Sequence, residues 1–138
     1  MSGTASPTAP SARWVQGVAA GRWQEDPAQR AVLPALDRIH AGILERLAGR
    51  GWVARLASRW RKPEPVAGLY LHGGVGRGKT FLVDLLHDAL PKGASRRVHF
   101  HRFMRHVHDD LAGLRDQPDP LAVVARRLAR RPLLVLDE

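Results

Sequence analysis

The chain has 138 residues, 44% of them hydrophobic, which is enough for one domain with its own core. No apolar run approaches the roughly 18 residues that a membrane-spanning helix needs, and the absence of cysteine excludes disulfides and thiolate metal sites. The formal net charge of +9 favours polyanionic partners, whether nucleotides, nucleic acid, anionic lipid or acidic protein, while an aromatic content of 6% leaves few stacking platforms for bare bases.

Residues 1–13 are mostly Ser, Thr, Ala and Pro, and the sequence predicts a disordered tail there. No charged start followed by an apolar segment marks a secretory signal, and order sets in near Trp14, too early for an organelle transit peptide. Residues 14–65 read as an amino-terminal helical region and linker. Asp26-Pro27-Ala28-Gln29 opens its long helix, with Asp26 as cap, Pro27 at the first helical position and Gln29 as the capping-box partner. Val32, Ala35, Leu36, Ile39, Ile43, Leu44 and Leu47 recur at helical spacing, and Pro34 predicts a kink or restart. A second helix is expected through Trp52, Leu56 and Trp60, with the tryptophans packed in a core. Arg61 to Pro65 form a charged, proline-stiffened linker.

Val66 to Leu71 is a short apolar run with the pattern of a strand buried on both faces. Gly73-Gly74-Val75-Gly76-Arg77-Gly78-Lys79-Thr80 follows and fits G-x-x-x-x-G-K-[ST], the Walker A phosphate-binding loop. Phe81, Leu82, Val83, Leu85, Leu86 and Leu90 then mark a helix that ends before Pro91. A triphosphate is held without uncompensated buried charge only where many backbone N–H groups converge on it. The glycines allow the tight curl, and the first turn of the helix supplies unpaired N–H groups at its positive end. Lys79 adds a mobile charge for the β- and γ-phosphates, and the Thr80 hydroxyl is a ligand for Mg²⁺.

Beyond the turn at Pro91 to Ser95, Arg96 to His101 alternates as a strand. Met104, Val107, Leu111 and Leu114 give the next helix an apolar face. Asp119 caps a further helix that starts at Pro120, with Leu121, Val124, Ala125 and Leu128 on one side and arginines on the other. Four histidines fall between His99 and His108, but no standard zinc spacing appears. They read as satisfied or solvent-facing side chains, with His99 and His101 on one strand face. The final run, Leu133 to Glu138, is a buried strand ending in an acid pair, the Walker B pattern. Asp137 is placed to hold the Mg²⁺ shell and Glu138 to polarise an attacking water.

The runs GLYLHGGVGRGKTFLVDLLHDALP, RVHFHRFMRHVHDDL and DPLAVVARRLARRPLLVLDE, with Gly21-Arg22-Trp23 through Gln29, resemble the ZapE-type ATPases. These are a bacterial cell-division family with mitochondrial relatives, in the AAA+ branch of P-loop ATPases. His72 departs from the aromatic residue expected at its position. The resemblance implies an α/β three-layer P-loop domain with a parallel sheet in the order 5-1-4-3-2, preceded by helices, with residues 66–138 as its amino-terminal half. It also implies ATP bound at Gly73, Gly74, Val75, Gly76, Arg77, Gly78, Lys79, Thr80 and Phe81, and Mg²⁺ held by Thr80 and Asp137. Catalysis would then rest on Lys79 and Glu138.

The same resemblance implies a cytoplasmic, homo-oligomeric protein that couples hydrolysis to remodelling of a protein partner, the division ring, at the inner face of the membrane. Later strands, a sensor residue, an arginine finger and a lid domain do not follow Glu138. The chain is therefore expected to be truncated after the acidic strand and to be inactive by itself. With strand 4 absent, the phosphate-bearing and acid-bearing strands are expected to leave a gap or to pair wrongly. Two alternatives remain open at this stage: a helicase-loader-like ATPase acting on nucleic acid, suggested by the arginine-rich helices, and a non-hydrolysing nucleotide-binding module.

Overall fold

Trp14 is the residue around which the amino-terminal part of the molecule packs. In the computed structural model, which describes residues 8–49, 56, 65–74, 76 and 78–138, its side chain has no exposed surface. It lies on α1 (Pro10–Ala19), one element of a compact unit that runs to Pro91; a second unit begins at Lys92.

Helix α1 begins inside the stretch expected to be disordered, and the reason is long-range. Pro10 stands at the first helical position with its φ already suitable, but Ala9 before it has no side chain that can cap. The cap comes from α2 (Pro27–Ala48): the Ser11 N–H donates to Asp37 Oδ1 at 3.0 Å. A carboxylate at the positive end of a helix satisfies both an orphan donor and the dipole. The tail is thus corrected to end before Pro10, and residues 1–7 lie outside the described ones.

Asp26 caps α2 as expected, accepting from the Ala28 N–H at 2.8 Å. Leu33, Leu36, Ile39 and Ile43 form its buried stripe, and each such side chain contributes about 1.5–3 kcal/mol by leaving water. The helix does not restart at Pro34; it continues through that residue in a single run of 22 residues. A proline there removes one N–H, and the apolar stripe on the same helix outweighs that loss. Gln29 does not close a capping box. Its Oε1 accepts from Trp14 Nε1 at 3.2 Å instead.

Trp23, between the two helices, donates Nε1–H to the Trp14 carbonyl at 3.0 Å. Its ring lies against Gly17, where any Cβ would overlap the indole. It also meets Phe81 edge-on, with centroids 5.0 Å apart and planes at 66°. Phe81 belongs to α3 (Lys79–Ala89), whose Leu82, Leu85, Leu86 and Ala89 are buried. The far end of α3 is tied to α2, because buried His40 donates Nε2–H to the Ala89 carbonyl at 3.1 Å. The helix expected through Trp52 and Trp60 lies outside the described residues.

Residues 66–71 do not form the strand that their composition predicts. They are irregular, and Tyr70 is 84% exposed. Val66 packs on Gly42 of α2, and Arg38 donates to the carbonyls of Ala67 at 2.8 Å and Gly68 at 3.4 Å. A strand exists only through a neighbour that takes up its N–H and C=O groups. None of the described strands pairs with this stretch, so an arginine satisfies carbonyls that a ladder would otherwise hold.

In the second unit, β1 (Ser95–His99) and β2 (Leu133–Asp137) form a parallel pair with Ser95 level with Leu133 and His99 level with Asp137. Two helices, α4 (Phe100–Gly113) and α5 (Pro120–Leu128), connect them. The pair matches the adjacency of strands 2 and 3 in the expected order.

Two details of this unit correct the sequence reading. The strand predicted to reach His101 stops at His99, and α4 starts at Phe100. His101 is therefore helical, yet its ring still stacks on His99 at 5.9 Å. No residue of β2 is fully buried, and Leu136 is 45% exposed. A strand is buried on both faces only when both its neighbours and both its covering layers are present, and this sheet has two strands. Asp119 caps α5 as expected, accepting from the Ala122 N–H at 3.2 Å from a left-handed backbone with φ of 50°.

Candidate nucleotide site

The loop before α3 has the backbone freedom its sequence calls for. Gly76 and Gly78 adopt φ of 81° and 78°, left-handed values that a side chain would resist. Gly78 also serves as the N-cap of α3, so no side chain occupies the first-turn N–H groups of that helix. Those donors and the positive helix end face the loop, an arrangement suited to phosphate oxygens. Lys79 Nζ donates across the loop to the Gly73 carbonyl at 2.7 Å. That contact folds the ammonium back towards the start of the loop. Gly73, Gly74, Thr80 and Phe81 are described; Val75 and Arg77 lie outside the described residues.

One wall of the loop comes from far away in sequence. A Cβ at Gly78 would collide with the Gln29 side-chain amide, so the same glutamine that binds Trp14 also lies against the loop. A cavity of about 500 Å³ opens beside it, lined by Trp23, Glu25, Asp26, Pro27, Gln29 and Phe81. Next to the loop, His72 stacks on Tyr70 with centroids 5.9 Å apart. His72 thus performs in part the ring packing expected of an aromatic residue at that position.

The acid pair belongs to the second unit. Asp137 Oδ2 accepts from Arg97 Nη2 at 2.7 Å, and its Oδ1 accepts from the Glu138 N–H at 3.1 Å. The Arg97 hydrogen bond holds the Asp137 carboxyl below the usual carboxylate range, outweighing the opposing effect of burial. Glu138 is exposed, and its carbonyl meets His99 Nδ1 at 2.9 Å.

The donor chemistry fits a hard cation. A threonine hydroxyl and a carboxylate are oxygen ligands of the type Mg²⁺ takes, and no group of three acidic or histidine side chains forms a protein-built cage among the described residues. An ion held mainly by phosphates and water, with one or two protein oxygens, needs none.

The AFG1-like ATPase family model matches residues 8–138. The chain belongs to that family. It is 39% identical over 139 residues to the cell division protein ZapE of Escherichia coli K12, covering 94% of this chain and 37% of that protein. It is 30% identical over 125 residues to an uncharacterised protein of Schizosaccharomyces pombe, covering 70% of this chain and 28% of the relative. A lactation elevated protein 1 homolog of Danio rerio is 34% identical over 85 residues, 54% of this chain and 17% of its own length. The chain therefore spans little more than a third of the first of these relatives. No solved structure matches it. Membership of the AFG1-like ATPases carries with it the P-loop class expected from the glycine motif and the α/β composition seen here. No described helix is long and apolar enough to cross a membrane.

Three residues take roles that the sequence reading did not give them: Gln29 lies against the loop, Arg38 holds the carbonyls leading into it, and Arg97 binds the acid. None of these roles carries a local signal, because each depends on a partner distant in sequence.

Proposed function

We propose that this AFG1-like ATPase chain is the nucleotide-binding part of a protein that hydrolyses Mg·ATP to remodel a protein partner. The observation that carries this reading is the loop itself: two left-handed glycines, a helix N-terminus with no side-chain cap and Lys79 folded back onto the Gly73 carbonyl, all within eight residues. Bound phosphates would take the first-turn N–H groups of α3 and draw Lys79 Nζ away from the Gly73 carbonyl. Thr80 and Asp137 would hold the Mg²⁺, which neutralises charge on the phosphates. Glu138 would accept the proton of the attacking water, and Lys79 would stabilise the charge that develops on the transferred group.

The fold proposed is an α/β three-layer P-loop domain of the AAA+ type with a parallel sheet, in which 66–71 is a strand paired with a neighbour. In that arrangement 66–138 forms the amino-terminal half of the ATPase domain and 14–65 a helical region before it. The Escherichia coli relative's name, a cell division protein, supports a role in cell division, and the reading extends to a division-ring partner, a cytoplasmic location at the inner membrane face and a homo-oligomeric assembly. Isothermal titration of the chain tests the binding step. Mg·ATP should bind weakly, with Kd of about 0.1–1 mM, or roughly −5.5 to −4 kcal/mol, and AMP should not bind. Equal affinity for ATP and AMP would contradict a site built for the β- and γ-phosphates.

A further inference from the structure

Arg97 stands level with Val135 in the parallel pair, and His99 with Asp137. Side chains level across a sheet, or two apart along one strand, point to the same face, so Arg97 and Asp137 share a face and lie one step apart along it. Their 2.7 Å contact is a charge-assisted hydrogen bond between side chains that are 29% and 32% exposed. It is partly shielded from water and does not belong to the fully solvated class of surface ion pairs. A carboxylate that already carries a guanidinium has its charge matched, and a second cation brought to the same group meets that guanidinium as a like charge.

We infer that Arg97 is a competing counter-ion for the metal-shell acid: its guanidinium and a Mg²⁺ ion contend for the same Asp137 carboxylate. Arg97 thereby sets how much Mg²⁺ the site needs. The inference rests on the reading of Asp137 as a Mg²⁺ residue. If Arg97 instead only oriented the carboxylate for the metal, its removal would weaken metal binding. A competitor does the reverse, so the sign of one measurement separates the two roles.

The test is a Mn²⁺ titration of the protein with AMP-PNP, followed by the loss of the free-ion paramagnetic resonance signal beyond that which AMP-PNP alone causes, which needs no turnover. Arg97→Gln and Arg97→Ala are expected to tighten Mn²⁺ binding by roughly three- to tenfold, the scale of removing one partly exposed like charge. Arg97→Lys, which keeps the charge, should stay within about twofold of the parent. Asp137→Asn should weaken binding, and Arg97→Gln added to it should restore nothing, because the effect runs through that carboxylate.

Unchanged or weaker binding in the neutral Arg97 variants, beside a weakened Asp137→Asn, would overturn the role of Arg97 and leave Asp137 as a metal residue. A gain that persists in the Asp137→Asn background would also overturn it. An Asp137→Asn variant that binds Mn²⁺ like the parent would remove the metal reading and this inference together.

Discussion

Lys79→Ala is expected to abolish ATP binding, with no heat detectable in a titration that shows binding to the parent chain. Charge-assisted contacts between an ammonium and phosphate are among the stronger polar interactions, typically about 1.5–3 kcal/mol. That loss is large beside the weak binding expected here. The side chain now spans the loop to the Gly73 carbonyl, so its removal takes away both the charge and the contact that keeps the glycine curl closed. Lys79→Arg separates these effects: it keeps the charge but cannot place a compact ammonium in the loop, and it should recover only part of the affinity. Full binding by Lys79→Ala would mean that the G-x-x-x-x-G-K-[ST] run is only a turn.

The second large effect concerns hydrolysis and belongs to the full-length protein. Glu138→Gln should leave ATP bound and reduce turnover by about a hundredfold or more, the range in which a lost general base falls. The carboxylate and the amide have the same shape, so the substitution removes basicity and leaves packing alone. Steady-state phosphate release, measured beside nucleotide affinity, checks it. Unchanged turnover would take Glu138 out of the reaction, whereas loss of affinity together with turnover would assign it a binding role.

The features legible in the sequence are those set by local chemistry. Asp26 and Asp119 cap their helices because a short acceptor before a proline leaves the backbone little alternative. The glycine loop and the helix after it were readable because φ above zero and a helix N-terminus each demand particular residue types. The errors arose where a distant partner decides the outcome. Pro10 to Arg13 look unstructured until Asp37, 26 positions beyond Ser11, caps them. Gln29 has the spacing of a capping box, but the indole N–H of Trp14 reaches it first. Val66 to Leu71 has the composition of a central strand, and composition cannot supply the neighbour that would make it one. The same limit hid Arg97, whose significance appears only when the parallel register sets it beside Asp137.

The central claim is that the glycine loop and the acid pair serve one metal-bound triphosphate. Its most direct test is a heteronuclear amide spectrum of the full-length protein with AMP-PNP, recorded first with Mg²⁺ and then with Mn²⁺ in its place. The account predicts that the amide signals of Gly78 to Thr80 and those of Leu136 to Glu138 broaden together, at the same ion concentration. Broadening confined to the loop, with the signals around Asp137 unaffected at saturation, would contradict it.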